Sequence, residues 1–184
     1  ARSQIGDITN FPVAENVHIN GILHSTAVPS VITEQQTETV IEMADKIAEG
    51  LDYVGTMAVE FFISKEGDIL ANEIAPRPHN SGHFTLDACE TSQFEQQVRM
   101  LCNLPSGNCK LASPVVMINI LGDVWGNFEP NWIELLSIPN NKLHLYGKLQ
   151  ARVGRKMGHF NVLAPSTEQA MDIAEHSFEQ LKAN

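Results

Sequence analysis

Residues 56–74 read Thr56-Met-Ala-Val-Glu60-Phe-Phe-Ile-Ser64-Lys-Glu-Gly67-Asp68-Ile-Leu-Ala-Asn72-Glu73-Ile74. Two β-favouring runs, Thr56–Ser64 and Ile69–Ile74, flank Lys65-Glu66-Gly67-Asp68, and this pattern predicts an antiparallel hairpin with a glycine-containing turn. If Glu66 and Gly67 close the turn, Glu60 on the first strand lies directly opposite Glu73 on the second. Opposed like charges destabilise a sheet, and two carboxylates that close hold each other's protons unless something positive lies between them. The neighbours Ala58, Phe62, Ala71 and Ile74 are core-type, which predicts that neither glutamate escapes into bulk water. A divalent cation resolves the repulsion. With only two carboxylates and all-oxygen ligands, Mg²⁺ that keeps waters and takes phosphate oxygens fits best. A solvated sheet face on which two glutamates happen to sit is the competing reading, and a three-residue loop without a compensating bulge puts the pair on opposite faces.

Directly downstream comes Ile74-Ala-Pro-Arg77-Pro-His79-Asn80-Ser81-Gly-His83. Prolines stiffen its start, and the rest is rich in hydrogen-bonding groups. Arg77 offers a planar fork for phosphate or carboxylate, His79 can donate or accept near neutral pH, and Asn80 and Ser81 add neutral hydrogen bonds. A polar loop facing solvent is the alternative.

Outward from this centre, Asp7–Val13 and Ile22–Val28 read as strands separated by Glu15–His18 and a turn at Asn20-Gly21. Thr33 with Gln36 forms a capping box for a helix that runs to a stop at Gly50. Ser92 with Glu95 opens another, with Phe94, Val98, Leu101 and Cys102 along one face and Leu104-Pro105 at its end. Pro105–Ser113 reads as a linker, which divides the chain into residues 1–108 and 109–184. The distal part carries short strands at Val115–Leu121, Leu143–Lys148 and Phe160–Ala164, then a final helix from a Ser166/Gln169 capping box.

The 184 residues are 43% hydrophobic and 18% charged, which excludes a disordered or fibrous chain. A net charge of −10 argues against a general nucleic-acid or anionic-membrane surface, so an anionic ligand must meet a local basic site. Such a site is present in sequence: Leu135–Thr167 contains no Asp or Glu but holds Lys142, Lys148, Arg152, Arg155 and Lys156. Gly154-Arg155-Lys156-Met157-Gly158-His159 sets its charges between glycines, where backbone can approach an anion; a basic turn paired with acids elsewhere is the alternative. Cys89, Cys102 and Cys109 have neither disulfide-framework nor zinc spacing, and no signal or membrane-spanning stretch is visible, so a cytoplasmic location is expected. The start at Ala1, without Met, reads as a cut inside a longer protein.

Taken together, Tyr53–Phe62, Asn72-Glu73-Ile-Ala-Pro-Arg77-Pro-His79-Asn80-Ser81-Gly-His83, Ser92–Glu95 and Gly154–His159 resemble the 5-(carboxyamino)imidazole ribonucleotide synthases, ATP-grasp ligases of purine biosynthesis that form the ATPase component of phosphoribosylaminoimidazole carboxylase. The resemblance covers essentially the whole chain. It implies an α+β fold: the C-terminal lobe of an ATP-grasp domain, an antiparallel sheet with flanking helices, followed by a small β-rich domain. It also implies ATP-dependent carboxylation of 5-aminoimidazole ribonucleotide with bicarbonate through carboxyphosphate.

By the same resemblance, Glu60 and Glu73 hold Mg²⁺, or Mn²⁺ in its place, with Asn72 beside them, and His18 contacts ATP. Arg77, His79, Asn80 and Ser81 line the bicarbonate and carboxyphosphate pocket, and Lys148, Arg155 and Lys156 reach nucleotide phosphates. The implied partners are the small-molecule substrates, the remainder of the protein's own chain and a second copy in a homodimer, with neither nucleic acid nor membrane. The family's N-terminal domain and phosphate-covering lobe have no counterpart in these residues, so this chain alone is expected not to turn over. Another ATP-grasp carboxylase or transformylase, or a non-catalytic nucleotide-binding module, are the competing readings.

Overall fold

The computed structural model describes residues 1–126 and 128–182. Its strands are β1 (Glu15–Ile19), β2 (Ile22–Val28), β3 (Ala58–Ile63), β4 (Ile69–Ala75), β5 (Val115–Leu121), β6 (Asn141–Leu145) and β7 (Lys156–Leu163). The helices are α1 (Glu34–Gly50), α2 (Thr85–Ala88), α3 (Gln93–Leu101), α4 (Trp132–Ser137) and α5 (Thr167–Lys182). All strand pairs are antiparallel, in a two-stranded sheet β3-β4 and a five-stranded sheet in the order β1-β2-β5-β7-β6. The class is α+β, as the sequence implies.

Two compact units result. The first takes residues 1–13 and 30–111, the second residues 14–29 and 112–184. A contiguous division at 108/109 therefore differs from the packing in two respects: residues 109–111 belong to the first unit, and β1 and β2 lie early in sequence but belong to the later unit. The reason is the pairing of β2 with β5, in which Ser25–Val28 face Ile118–Val115, together with a side-chain bond from Asn119 Nδ2 to Leu23 O at 2.8 Å.

In the first unit, the Thr33 capping box forms as the sequence predicts, with Gln36 N–H donating to Thr33 Oγ1 and Thr33 N–H to Gln36 Oε1. Asp7–Val13 is not a strand. Its first half instead makes isolated contacts with the chain start, Ser3 N–H to Asp7 O and Thr9 N–H to Ala1 O, and Pro12 brings no N–H to a ladder. α3 also departs from expectation. Ser92 caps it as predicted, but Phe94, Val98, Leu101 and Cys102 face outward, while Gln93, Gln96 and Met100 are buried. Gln93 and Gln96 each accept a part-buried loop N–H, from His79 and Gly107 respectively, and a buried N–H left without a partner costs about 1–3 kcal/mol.

In the second unit, Asn20 and Gly21 take positive φ (51° and 74°), the conformation of a two-residue turn that joins β1 to β2. Glu15–His18, read as a separator, is thus itself strand. The core is formed by β5, β7, α4 and α5: Val116, Ile118, Ile120, Phe160, Ala170 and Leu181 are all buried. α4 is too short to register as a periodic pattern and is absent from the sequence reading. The Ser166 cap is present, with Gln169 N–H donating to Ser166 Oγ.

β2 presents His24 edge-on to Phe178 of α5 at 5.1 Å, and Lys182 Nζ lies 4.2 Å from the same ring. Burial, aided by the Lys182 charge and opposed by Glu175, lowers the His24 pKa from its ordinary 6.5. The unfolded chain therefore binds the extra proton more readily than the folded one, so stability is lost as pH falls through about 6.5 toward the lowered folded value. Thermal unfolding of His24→Gln should show a shallower fall in midpoint below pH ~6.5 than the wild type, by up to one proton in the linkage slope. An unchanged slope would contradict this origin.

Candidate functional site

The hairpin's register decides where its carboxylates go. Ala58, Val59 and Glu60 pair with Ala75, Ile74 and Glu73, but Phe61, Phe62 and Ile63 pair with Ala71, Leu70 and Ile69. Asn72 is thus an extra residue, a bulge at which Asn72 and Glu73 together oppose Glu60. At the other end the loop holds three residues, Lys65–Gly67, rather than being closed by Glu66 and Gly67 alone: Ser64 N–H donates to Asp68 O at 2.9 Å, and Gly67 adopts φ +92°. A three-residue loop by itself would set the two glutamates on opposite faces. The bulge restores the face-to-face pair by returning one residue of register.

The two carboxylates differ in exposure. The Glu60 side chain is 13% exposed, whereas Glu73 lies open to solvent, contrary to the expectation that both are withheld from water. The cause is that β3 and β4 form a sheet of only two strands, on which the cross-strand pair Phe62 and Leu70 is itself exposed.

Beyond β4 the chain turns sharply, with Arg77 N–H to Ala75 O at 2.8 Å, and Arg77 extends into solvent with Nη1 on Pro78 O. A short 3₁₀ turn, Asn80–Gly82, follows. His79 caps it: its Nδ1 is 2.8 Å from Ser81 Oγ and 3.9 Å from Glu60 Oε1, and its side chain is 13% exposed. Glu60, His79 and Ser81 are therefore brought together, with Asn72 and Glu73 across the hairpin from Glu60. Among the described residues no cluster of three His, Cys, Asp or Glu is placed to hold a metal. The donor set is two carboxylates and the Asn72 amide oxygen, all hard oxygen ligands, which fits Mg²⁺ only with further oxygens from water or phosphate.

His18, Lys148, Arg155 and Lys156 belong to the other unit. His18 is exposed on β1, opposite Leu23. Lys148 Nζ donates to Lys156 O and lies 5.5 Å from the Tyr146 ring centre, and Arg155 Nη1 donates to Gln150 O. The acid-free segment does not stand alone. Asp123 accepts the Gly154 N–H at 2.7 Å, so the backbone expected to approach an anion already meets a carboxylate. Gly122 lets the loop pack this closely, because a Cβ there would strike the Arg152 backbone.

The sequence reading gives no role to Tyr146, His144 or Gln93. Tyr146 sets its hydroxyl 2.9 Å from Nδ1 of buried His159, which stacks on His144 at 4.6 Å, and burial pushes the Tyr146 pKa up to about 12. Gln93, which the sequence reading includes in the Ser92–Glu95 string without assigning it a role, bonds His79 N–H, His79 O and His83 Nδ1 at 2.8–2.9 Å. Its signal in sequence is slight: a glutamine at the first position of a helix.

Comparison with known proteins gives two family matches, an ATP-grasp domain over residues 1–94 and a phosphoribosylaminoimidazole carboxylase C-terminal domain over residues 115–172. The chain is 46% identical over 173 residues to N5-carboxyaminoimidazole ribonucleotide synthase of Bacillus subtilis, with 94% of this chain and 45% of the relative covered. It matches the crystal structure of N5-carboxyaminoimidazole ribonucleotide synthetase from Thermotoga maritima with TM-score 0.89 and 41% identity, over 99% of this chain and 50% of that one. The Aspergillus clavatus N5-carboxyaminoimidazole synthase, solved with ADP and 5-aminoimidazole ribonucleotide, matches with TM-score 0.84 and 32% identity, over 93% and 47%. The chain spans about half the length of the relatives it matches.

The opposed pair yields a direct test. Without divalent cation, Glu73→Gln should leave the thermal midpoint level or slightly raised, because one like charge is removed. Millimolar Mg²⁺ with an ATP analogue should raise the midpoint of a protein with both glutamates and leave Glu73→Gln unmoved. Equal shifts in the two would remove the metal assignment.

Proposed function

We propose that this chain, which belongs to the ATP-grasp family, is part of an ATP-dependent ligase that carboxylates 5-aminoimidazole ribonucleotide with bicarbonate in purine biosynthesis. The observation that carries this reading is the bulged hairpin, which opposes Glu60 to Asn72 and Glu73 and feeds directly into the donor-rich loop at 77–83. The similarity to N5-carboxyaminoimidazole ribonucleotide synthases over nearly the whole chain supports the choice of substrate.

In this reading a bicarbonate oxygen attacks the γ-phosphorus of ATP, and ADP leaves. The resulting carboxyphosphate gives its carbon to the exocyclic amine of the nucleotide, with loss of phosphate and of one amine proton. Such chemistry needs charge stabilisation and positioning more than covalent help. Glu60, Glu73 and Asn72 hold Mg²⁺, or Mn²⁺ in its place, which neutralises phosphate charge when bound. Arg77 supplies a cationic fork for bicarbonate or the transferring phosphoryl group, and Asn80 and Ser81 orient it by hydrogen bonds. His79, against Glu60 and Ser81, manages the proton. His18 contacts ATP, and Lys148, Arg155 and Lys156 hold nucleotide phosphate, with Tyr146 beneath Lys148.

The site needs more than these residues. The exposed Phe62–Leu70 pair on a two-stranded sheet supports a reading in which the remainder of a longer protein covers the hairpin, since such a sheet is marginal alone. A homodimer and a cytoplasmic location complete the proposal. No helix among the described residues is long and apolar enough to cross a membrane.

The full protein should release ADP in a manner dependent on both bicarbonate and 5-aminoimidazole ribonucleotide, and this chain alone should not. Glu73→Ala in the full protein should lower kcat by on the order of 100-fold or more. Lys148→Ala should chiefly raise KM for the ribonucleotide, as loss of ground-state binding does. ADP release that ignores the ribonucleotide, or that follows formate or biotin instead, would overturn the substrate assignment.

A further inference from the structure

α3 turns Phe94, Val98 and Leu101 outward and Gln93 and Gln96 inward, and Gln93, at the first position of the helix, is only 3% exposed. Its Oε1 accepts the His79 N–H at 2.9 Å, and its Nε2 donates to the His79 carbonyl at 2.8 Å. A side-chain amide that pairs with both backbone groups of one residue does what a neighbouring strand would do. The loop at 77–83 has no such strand, so this amide holds its backbone in place.

The two backbone groups also remove any ambiguity about which end of the amide is which, because an N–H can only donate and a carbonyl can only accept. Nε2 has two hydrogens. One is directed at His79 O, and the other meets His83 Nδ1 at 2.9 Å. His83 Nδ1 must then be an acceptor, which leaves the ring proton on Nε2.

A second, independent feature protects this arrangement. A Cβ on Gly82 would lie 2.5 Å from Gln93 Oε1 and 2.8 Å from its Cδ, although the φ of Gly82 is not in the left-handed region. Glycine is required there by the amide and not by the backbone. Thr85 locks the base of the clamp: its hydroxyl donates to Gly82 O at 2.6 Å and accepts the Gln93 N–H at 2.9 Å.

We propose that Gln93 is a positioning residue: its amide fixes the backbone of the His79 loop and holds His83 as the Nε2–H tautomer, with Gly82 leaving room for it. The catalytic consequence rests on the reading that this loop lines the bicarbonate pocket; the tautomer does not.

Long-range ¹H–¹⁵N spectra of the full protein, at a pH where its imidazoles are neutral, should give His83 a pyridine-like Nδ1 and a pyrrole-like Nε2. Gln93→Glu, which can only accept, should shift His83 toward the Nδ1–H form. An Nδ1–H ring in the wild type, or no response in the variant, overturns the proposal whatever the enzyme does. In turnover, Gln93→Glu and Gly82→Ala should each lower kcat about tenfold to a hundredfold with KM for ATP unchanged, the pattern of a misplaced reacting group. Gly82→Ala added to Gln93→Ala should cost nothing more, since the clash partner is already gone. Additive losses would overturn the pairing of Gly82 with Gln93. If Gln93→Glu does not fold, the wild-type tautomer and the Gly82 and Gln93 cycle still decide. A full protein that ignores 5-aminoimidazole ribonucleotide while His83 carries its proton on Nε2 would overturn the functional reading and leave the clamp standing.

Discussion

Everything in the first unit's site depends on one residue of register, the bulge at Asn72. Between Asp68 and Ala71 the second strand pairs as a three-residue loop dictates, and from Glu73 onward it pairs one residue later. That single step opposes Glu60 to Glu73 across the ladder. It also sets Asn72 next to Glu73 opposite Glu60, three residues whose side chains offer hard oxygen donors and no soft ligand. A regular ladder from the same loop would have split the carboxylates between two faces, so the bulge is the local condition for any chemistry that needs both. The cost is an interrupted ladder and a pair of like charges.

The second constraint is backbone satisfaction around the His79 loop. Loops that carry functional side chains lack the ladder partners of regular structure, and burying them exposes their amides to that deficit. In this unit α3 provides the partners from side chains. Gln93 serves His79, Gln96 Oε1 takes the Gly107 N–H at 2.9 Å, and Gln97 Oε1 takes the Thr56 N–H at the start of the hairpin. One short helix thus ties three loop segments together, and Phe94, Val98 and Leu101 are left for the outside. The burial of Gln93 follows from hydrogen-bond accounting rather than from hydrophobicity.

In the second unit the basic loop is organised by a sheet core and one acid. Gly122 allows the loop backbone to lie against the end of β5, and Asp123 holds Gly154 there. The Tyr146–His159–His144 stack lies beneath Lys148, joining a surface cation to groups buried in β7. The charge reversal visible in the sequence is therefore real as composition but is tempered in space by a carboxylate twelve residues before the segment begins.

The sequence by itself determined the α+β character, the capped helices at Thr33, Ser92 and Ser166, the existence of the hairpin, and the family, because these rest on local periodicity, capping chemistry and a contiguous motif; that Glu60 faces Glu73 was conditional on a turn the structure does not have. It did not contain the three-residue loop or its compensating bulge, since both registers place the same residues in strands and differ only in which hydrogen bonds close. Nor did it assign β1 and β2 to the later unit, because a partner some ninety residues away leaves no local trace. Tertiary structure alone decided which face of α3 is buried. Periodicity favoured Phe94, Val98 and Leu101, yet the backbone of the His79 loop drew Gln93 inward, and a buried backbone group without a partner costs more than an exposed apolar side chain.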